Sequence, residues 1–559
     1  MLKRLSKAVP GLLVVMFVMA ACAQASPAPV QTESPGLSPT PGITPPQETT
    51  QESAPTESVQ PTPAATLIPY ETPDWFDGDI LYEIFVRSFA DSDGDGIGDL
   101  NGITERLDYL QSLGVDTIWL MPIYPSPSEH GYDVSDYFAV NPQYGTLEDL
   151  QALVQAVHER DMRIILDFVP SHLSNQNPIF QDAFKNPESK YSDWFVWTNE
   201  AHSTYAGFAD NEEMPRFNHY NPEVVSYLAE AARYWLDPDG DGDLTDGVDG
   251  FRVDNVTFPP QEFLVALRQE VKSANPQALM LGEAWVHNPS DMSRFYPDQF
   301  DALFDFPLYE LMQGNQDSNG DGLLAGKSFP VLITSLMKEQ ADRFPEEAIA
   351  LRFFSNHDTN RIGTELAGDP ARQRLAIALL AAYPGPMLVY YGEEIGMPGQ
   401  KGGPPYYDNY RREPMDWYAA EEGPGQANWF KPQDGWNQPG DGISVEEQDP
   451  DPESLLGYYR NALAIRQQNA ALHMGGFDIL QLDASGPGAW AFVRSQGENM
   501  VVALFNFSDQ DLDITIPEFP FSAGGLIDLL SGTEFPPVEM SQPYTLKLPA
   551  ASAVWLSAN

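Results

Sequence analysis

Three short stretches each set one carboxylate at the end of an apolar run: Gly250-Phe251-Arg252-Val253-Asp254-Asn255, Gly282-Glu283-Ala284-Trp285 and Asn356-His357-Asp358. Such runs read as buried strands, which puts Asp254, Glu283 and Asp358 at or just past strand C-terminal ends. A lone Asp in that position caps a loop as readily as it does chemistry. Three that meet at one mouth suit work on a glycosidic bond, with one as nucleophile, one as acid/base and one to hold the sugar. Arg252 and His357 stand beside them and strengthen that reading.

The elements that must position these groups follow from the hydrophobic pattern. Candidate strands are 80–89, 117–122, 163–169, 250–255, 279–285, 301–306, 351–355 and 387–391, with helical periodicity between them, as at 147–160 and 261–274. Eight strands alternating with helices predict parallel βαβ units closed into a (β/α)8 TIM barrel over residues 70–475. Active sites of such barrels form at the C-terminal ends of the strands. The three carboxylates fall there, on the fourth, fifth and seventh strands. About eighty residues separate the third and fourth strands, too many for one crossover, so a small aromatic-rich subdomain is expected at about 173–220. A helix at 455–468 closes the barrel. Short alternating segments follow, and 476–559 read as a C-terminal antiparallel β-sandwich that packs on the barrel; a starch-binding module is the other reading of that segment.

The chain has 559 residues, formal charge −51 and a single cysteine, Cys22. The charge excludes nucleic acid as a partner and favours solubility; a salty habitat or bound cations would also account for it. Lys3, Arg4 and Lys7, an apolar stretch at 9–19 and the small pair Ala20-Ala21 form a leader. Met19-Ala20-Ala21-Cys22 resembles a bacterial lipoprotein signal. That resemblance implies removal of the leader, lipidation of Cys22 and an exported protein held on the extracytoplasmic side of a membrane by its lipid anchor only. Residues 23–69, rich in Pro, Thr and Ser, cannot bury enough apolar surface to fold and read as a disordered tether.

The ordered set of motifs resembles the α-amylase family of retaining α-glucan enzymes across about 74–559. Asp167-Phe168-Val169-Pro170-Ser171-His172 is similar to that family's third-strand motif. The three carboxylate stretches are similar to its fourth-, fifth- and seventh-strand motifs, Tyr390–Met397 to its eighth, and His130-Gly131-Tyr132-Asp133 to the loop after its second strand. The resemblance implies Asp254 as nucleophile, Glu283 as acid/base and Asp358 as the carboxylate that holds the sugar. It implies substrate contacts from Tyr132, Asp133, His172, Arg252 and His357, with Arg252 keeping Asp254 ionised and Tyr132 stacked on the sugar.

The departures carry information of their own. Calcium-dependent members bind an ion between barrel and subdomain, and the matching positions here are Ser171, Arg216 and Phe258. A guanidinium at Arg216 is expected to replace that ion. Calcium is expected instead in the loop Asp91-Ser92-Asp93-Gly94-Asp95-Gly96-Ile97-Gly98-Asp99, which offers Asp91, Asp93, Asp95, the Ile97 carbonyl and Asp99. The acidic turns 237–243, from Asp237 to Asp243, and 317–321, from Asp317 to Asp321, are further candidates. The substrate expected is starch-derived glucan or malto-oligosaccharide, cut at α-1,4 bonds. An exo-acting α-glucosidase, a 4-α-glucanotransferase and, in another class, a non-catalytic carbohydrate-binding lipoprotein are the alternatives.

Overall fold

A computed structural model describes residues 72–296, 298–314 and 321–559. The leader, Cys22, the tether and the 317–320 part of the third acidic turn lie outside the described residues.

Eight parallel strands form the core: β1 Ile80–Ile84, β2 Thr117–Leu120, β3 Arg163–Phe168, β4 Gly250–Val253, β5 Leu279–Gly282, β6 Ala302–Phe304, β7 Ile349–Leu351 and β8 Met387–Tyr390. Each pairs with its chain neighbour, and β1 also pairs with β8. The ring closes between β7 and β8 through a single bridge, Arg352 to Met387. The strands are apolar on both faces because both are covered. Leu81, Trp119, Ile165, Leu281, Phe304 and Leu388 fill the barrel interior. Their alternates Tyr82, Ile118, Ile164, Met280, Leu303 and Val389 pack beneath the surrounding helices.

Two expected boundaries move. The run 80–89 is not one strand: β1 stops at Ile84 and Val86–Phe89 is a helical turn. Both parts are buried, so hydrophobicity alone does not mark the break. The seventh strand lies at Ile349–Leu351, earlier than the expected 351–355, which forms the approach to the cleft. Helix Leu147–His158 shows why local signals elsewhere hold. Thr146 and Asp149 form a reciprocal capping box, and Leu150, Leu153, Val154 and Val157 make one buried stripe.

Between β3 and β4 the chain forms a short helix, Pro178–Ala183, and a two-stranded hairpin, Gly207–Phe208 with Asn211–Pro215, before the crossover helix Pro222–Leu236. After helix Leu455–Gln468 come two antiparallel sheets of six and three strands. Strands Ala489–Gln496 and Asn499–Asn506 pair across a two-residue turn at Gly497-Glu498. Alternation then assigns their two faces. Trp490, Phe492, Ala503 and Phe505 join the main core against the barrel. Ala491, Val493, Val502 and Leu504 face the three-stranded sheet.

Candidate active site

Parallel strands end on the same side of the barrel, and their last backbone bonds aim the carboxylates. The amide of Asp254 donates to Phe168 O on β3 (2.8 Å), and that of Glu283 donates to Val253 O on β4 (3.0 Å). Asp358 sits in a turn beyond β7, its amide bonded to Asn356 Oδ1 (3.0 Å). Gly250, at the start of β4 with φ +146°, lies so close to β5 that a Cβ there would come within 2.4 Å of Leu279 N and O. That approach fixes β4, and with it Asp254, against the strand that carries Glu283.

Arg252, on β4 and fully buried, organises the floor. Its Nη1 donates to both Asp167 oxygens (2.9 Å each) and to Asp254 Oδ1 (3.0 Å), and its Nη2 pairs with Glu283 Oε1 at 2.6 Å. The guanidinium lies over Trp119, 5.2 Å from the ring centroid. One rigid fork therefore spans both carboxylates proposed for catalysis. The amide of Asn255 adds a bond to Glu283 Oε2 (3.0 Å).

A second cationic group holds Asp358. His357 Nε2 is 3.2 Å from Asp358 Oδ2, and its Nδ1 is 2.5 Å from Glu83 Oε1. Arg412 donates to Asp358 Oδ1 (2.8 Å) and to His357 O (3.0 Å). Burial disfavours charge on His357, but Asp358 and Glu83 outweigh it and raise the imidazole to about 9. Burial likewise opposes charge on Asp358, yet His357 and Arg412 hold it well below the usual carboxylate range.

Asp254 and Glu283 behave differently. Burial raises Asp254 to about 7, with Arg252 opposing and Asp167 and Asp358 adding to the rise. Burial raises Glu283 to about 7 as well, again against Arg252 and with help from Asp254 and Asp358. The expectation that Arg252 keeps Asp254 ionised is thus corrected. Arg252 divides its charge among three acids, and desolvation outweighs its share at Asp254. Both carboxyls are thus raised, by burial first, with Arg252 opposing at each.

The cleft above this floor has a volume of about 460 Å³. Of the residues expected to touch substrate, Tyr132 and His172 line it. Tyr132 lies parallel to His357, ring centroids 5.5 Å apart, and its hydroxyl bonds to Asp167 Oδ2 (3.0 Å) and His357 Nε2 (2.6 Å). His172 bonds Ser171 Oγ through Nδ1 (2.7 Å), while its buried Nε2 has no partner; burial pushes it down to about 3, so it is neutral.

Asp133, Arg252 and His357 do not line the cleft. Asp133 is turned inward, accepting from Ser126 and Ser128. Arg252 and His357 are fully buried beneath the carboxylates. The sequence reading passed over Glu83, Arg412 and the cleft residues Trp285 and Phe208. Glu83 carried a signal, as an acid inside the apolar run of β1. Arg412, in an irregular stretch, carried none.

The loop at 91–99 gathers Asp91, Asp93 and Asp99, each with one oxygen within 4.8 Å of the others. Asp95 stands outside this group and accepts from Ile97 N (2.7 Å). In the second acidic turn Asp237 and Asp239 converge with Asp246, not with Asp241 or Asp243. Those two are engaged in local turns, Asp241 accepting from Asp243 N (2.7 Å) and Asp243 from Thr245 N (3.1 Å). Arg216 lies over Phe258, 5.0 Å from the ring centroid.

Residues 83–475 match the family model described as alpha amylase, catalytic domain, and residues 479–555 match the maltogenic amylase C-terminal domain. The chain is 35% identical over 432 residues to Alpha-amylase 3 of Dictyoglomus thermophilum, covering 74% of this chain and 81% of that one. It is 30% identical over 498 residues to Neopullulanase 2 of Thermoactinomyces vulgaris, covering 83% and 75%. Among solved structures, the alpha-amylase from H. orenii superposes with TM-score 0.73 at 32% identity, covering 87% of this chain and 100% of that one.

Proposed function

The chain belongs to the α-amylase family, and from that premise we propose how its cleft works. It is an α-amylase-like glycoside hydrolase acting on α-1,4-glucans. Our reading is a retaining double displacement on starch-derived glucans and malto-oligosaccharides. The observation that carries it is the single Arg252 guanidinium bound to both Asp254 and Glu283 on the floor of an open cleft.

The singly protonated pair is the working form. Asp254, as carboxylate, attacks the anomeric carbon while Glu283 gives its proton to the glycosidic oxygen, and the leaving sugar departs with that proton. Glu283, now ionised, takes a proton from water. The resulting hydroxide equivalent attacks the same carbon and frees Asp254. Asp358, kept charged by His357 and Arg412, accepts from sugar hydroxyls. The unpartnered Nε2 of neutral His172 serves as an acceptor or donor to the same ring, and the Tyr132 face supplies the apolar platform.

Calcium, when bound at 91–99, would be held by Asp91, Asp93 and Asp99, and would supply stiffness to the loop after β1 without entering the reaction. The two Asp91 oxygens already accept from Gly94 N and Gly96 N (2.7 and 2.8 Å), so the loop's fold suits an ion-binding turn. Arg216 beside Phe258, with Ser171 engaged by His172, supports a cation-free junction of barrel and subdomain. The Met19–Cys22 stretch supports export and a lipid anchor at Cys22. Replacing Cys22 with Ser should release the protein from membranes; persistence on membranes washed in high salt would exclude the anchor.

Maltoheptaose tests the main reading, with the product ladder and anomer followed over time. Mid-chain products of retained configuration are expected. Stepwise glucose release would favour an α-glucosidase, products longer than the substrate a glucanotransferase, and inverted product would exclude the double displacement.

A further inference from the structure

Outside the cleft, Asp416, Glu421 and Asn437 line one small cavity, of about 30 Å³, in the irregular segment after β8. Asp416 Oδ1, Glu421 Oε1 and Asn437 Oδ1 are each buried, and none has a hydrogen-bond partner. Asp416 is only 2% exposed. A buried acceptor left alone costs about 1–3 kcal/mol, and more when charged. Three at one cavity therefore call for an occupant.

Several of the protein's own donors nearby are engaged. The amides of Trp436 and Asn437 go to Glu413 (both 2.9 Å), and the Asn437 side-chain NH2 goes to Pro414 O (2.8 Å). Gln426 Nε2 is bound to Met415 O (2.8 Å). Lys431 reaches the other oxygen of Glu421, Oε2, at 2.9 Å, and its side chain is 52% exposed at the rim. A single water has two protons for three acceptors. Asp441, Glu421 and Glu447 add negative charge around Asp416, with Lys431 standing against them at the rim.

We propose that this cavity is a binding site for a hard divalent cation, calcium in preference to magnesium, coordinated by Asp416, Glu421 and Asn437. The donor set is all oxygen, with neither nitrogen nor sulfur, which disfavours the softer transition metals. Calcium tolerates irregular shells of six to eight oxygens, whereas magnesium dehydrates reluctantly and needs a near-ideal octahedron. The cavity has room for an ion, and waters would fill the places that the three side chains leave.

The site has structural consequences on both sides. Arg412, which grips Asp358, directly precedes Glu413 at the cavity wall. Gly425 O and the Asn428 amide bond to Asp91 N (3.1 Å) and Gly96 O (2.8 Å), so the same segment braces the loop after β1. An ion at Asp416 would fasten one wall of the cleft to that loop.

The test counts ions. The full chain is stripped with a chelator, refilled with calcium, and its bound calcium measured by native mass spectrometry and by elemental analysis. Asp416→Asn and Glu421→Gln should each hold one calcium fewer than the parent. Glu421→Gln combined with Asp93→Ala should hold fewer than Asp93→Ala alone, which separates this cavity from the loop at 91–99. Calcium should also raise the Tm of Asp93→Ala more than that of the double variant. Should Asp416→Asn fail to fold, the comparison of Glu421→Gln with the parent decides. Unchanged calcium content in Glu421→Gln, or a parent that retains no calcium, would overturn the proposal and leave a water-filled cavity.

Discussion

The cleft floor and the 413–437 segment both bury carboxylates, and they neutralise them differently. On the floor, Asp167, Asp254 and Glu283 surround Arg252, while Asp358 lies between His357 and Arg412. Around Asp416, Lys431 at the rim pairs with Glu421. The chain has 81 acidic residues and 30 Lys and Arg, so most of its acids have no Lys or Arg to themselves. Where a guanidinium is supplied, it opposes the cost of burial and fixes the acids in position. Where none is supplied, burial leaves the carboxyl protonated or dependent on an ion from solution.

The largest expected effect breaks the first half of this contrast. Asp254→Asn and Glu283→Gln should each lower kcat by roughly 10³-fold or more with Tm nearly unchanged. Steady-state kinetics beside calorimetry checks this, and an active Asp254→Asn protein would remove the nucleophile assignment. The carboxyl separation should be about 5–5.5 Å, the retaining distance.

Next in size, Arg252→Met should damage both activity and stability. Removing the cation from a buried network costs about 3–5 kcal/mol, because the acids remain without it. Losing the charge that opposes desolvation should also move the Asp254–Glu283 titration upward, so the acid limb of the kcat/KM profile shifts to higher pH. A profile superimposable on the parent's would show that Arg252 does not govern the pair.

The third prediction sharpens the other half. Asp416 is raised to about 7 in the fold, against about 3.9 in an unfolded chain. Between these values the folded state holds a proton that the unfolded state has released. The stability Asp416 contributes is therefore present at low pH and is lost as pH rises through that window. Melting of the chelated protein at pH 5 and pH 7 should show a loss that is smaller in Asp416→Asn and smaller again with calcium. Equal losses in all three would detach Asp416 from the effect.

The smallest effect concerns the barrel–subdomain junction. Arg216→Asp should change Tm modestly in chelator, and added calcium should then stabilise the variant more than the parent, by RT ln(1 + [L]/Kd) if an ion now binds. No differential response to calcium would mean that the guanidinium does not stand in for an ion.

The sequence by itself determined the barrel, its order of strands and the three carboxylates, because these rest on local information. Apolar runs, caps and strand-end positions are written within a few residues of each other, as in helix 455–468, which lies where its pattern put it. Short alternating segments after residue 476 likewise read as an antiparallel sandwich, and strands Ala489–Gln496 and Asn499–Asn506 lie there. Tertiary structure alone decided what each charged group meets. Glu83 reaches His357 across 274 positions, Arg412 reaches Asp358 across 54, and Asp133 turns from the cleft toward two serines. Asp246, and not Asp241 or Asp243, completes the second acidic cluster. The physical reason is that electrostatic interaction depends on distance and burial, not on separation along the chain. A carboxylate's identity is legible in one dimension, while its proton affinity and its partner are set only when the strands bring remote side chains into one low-dielectric interior.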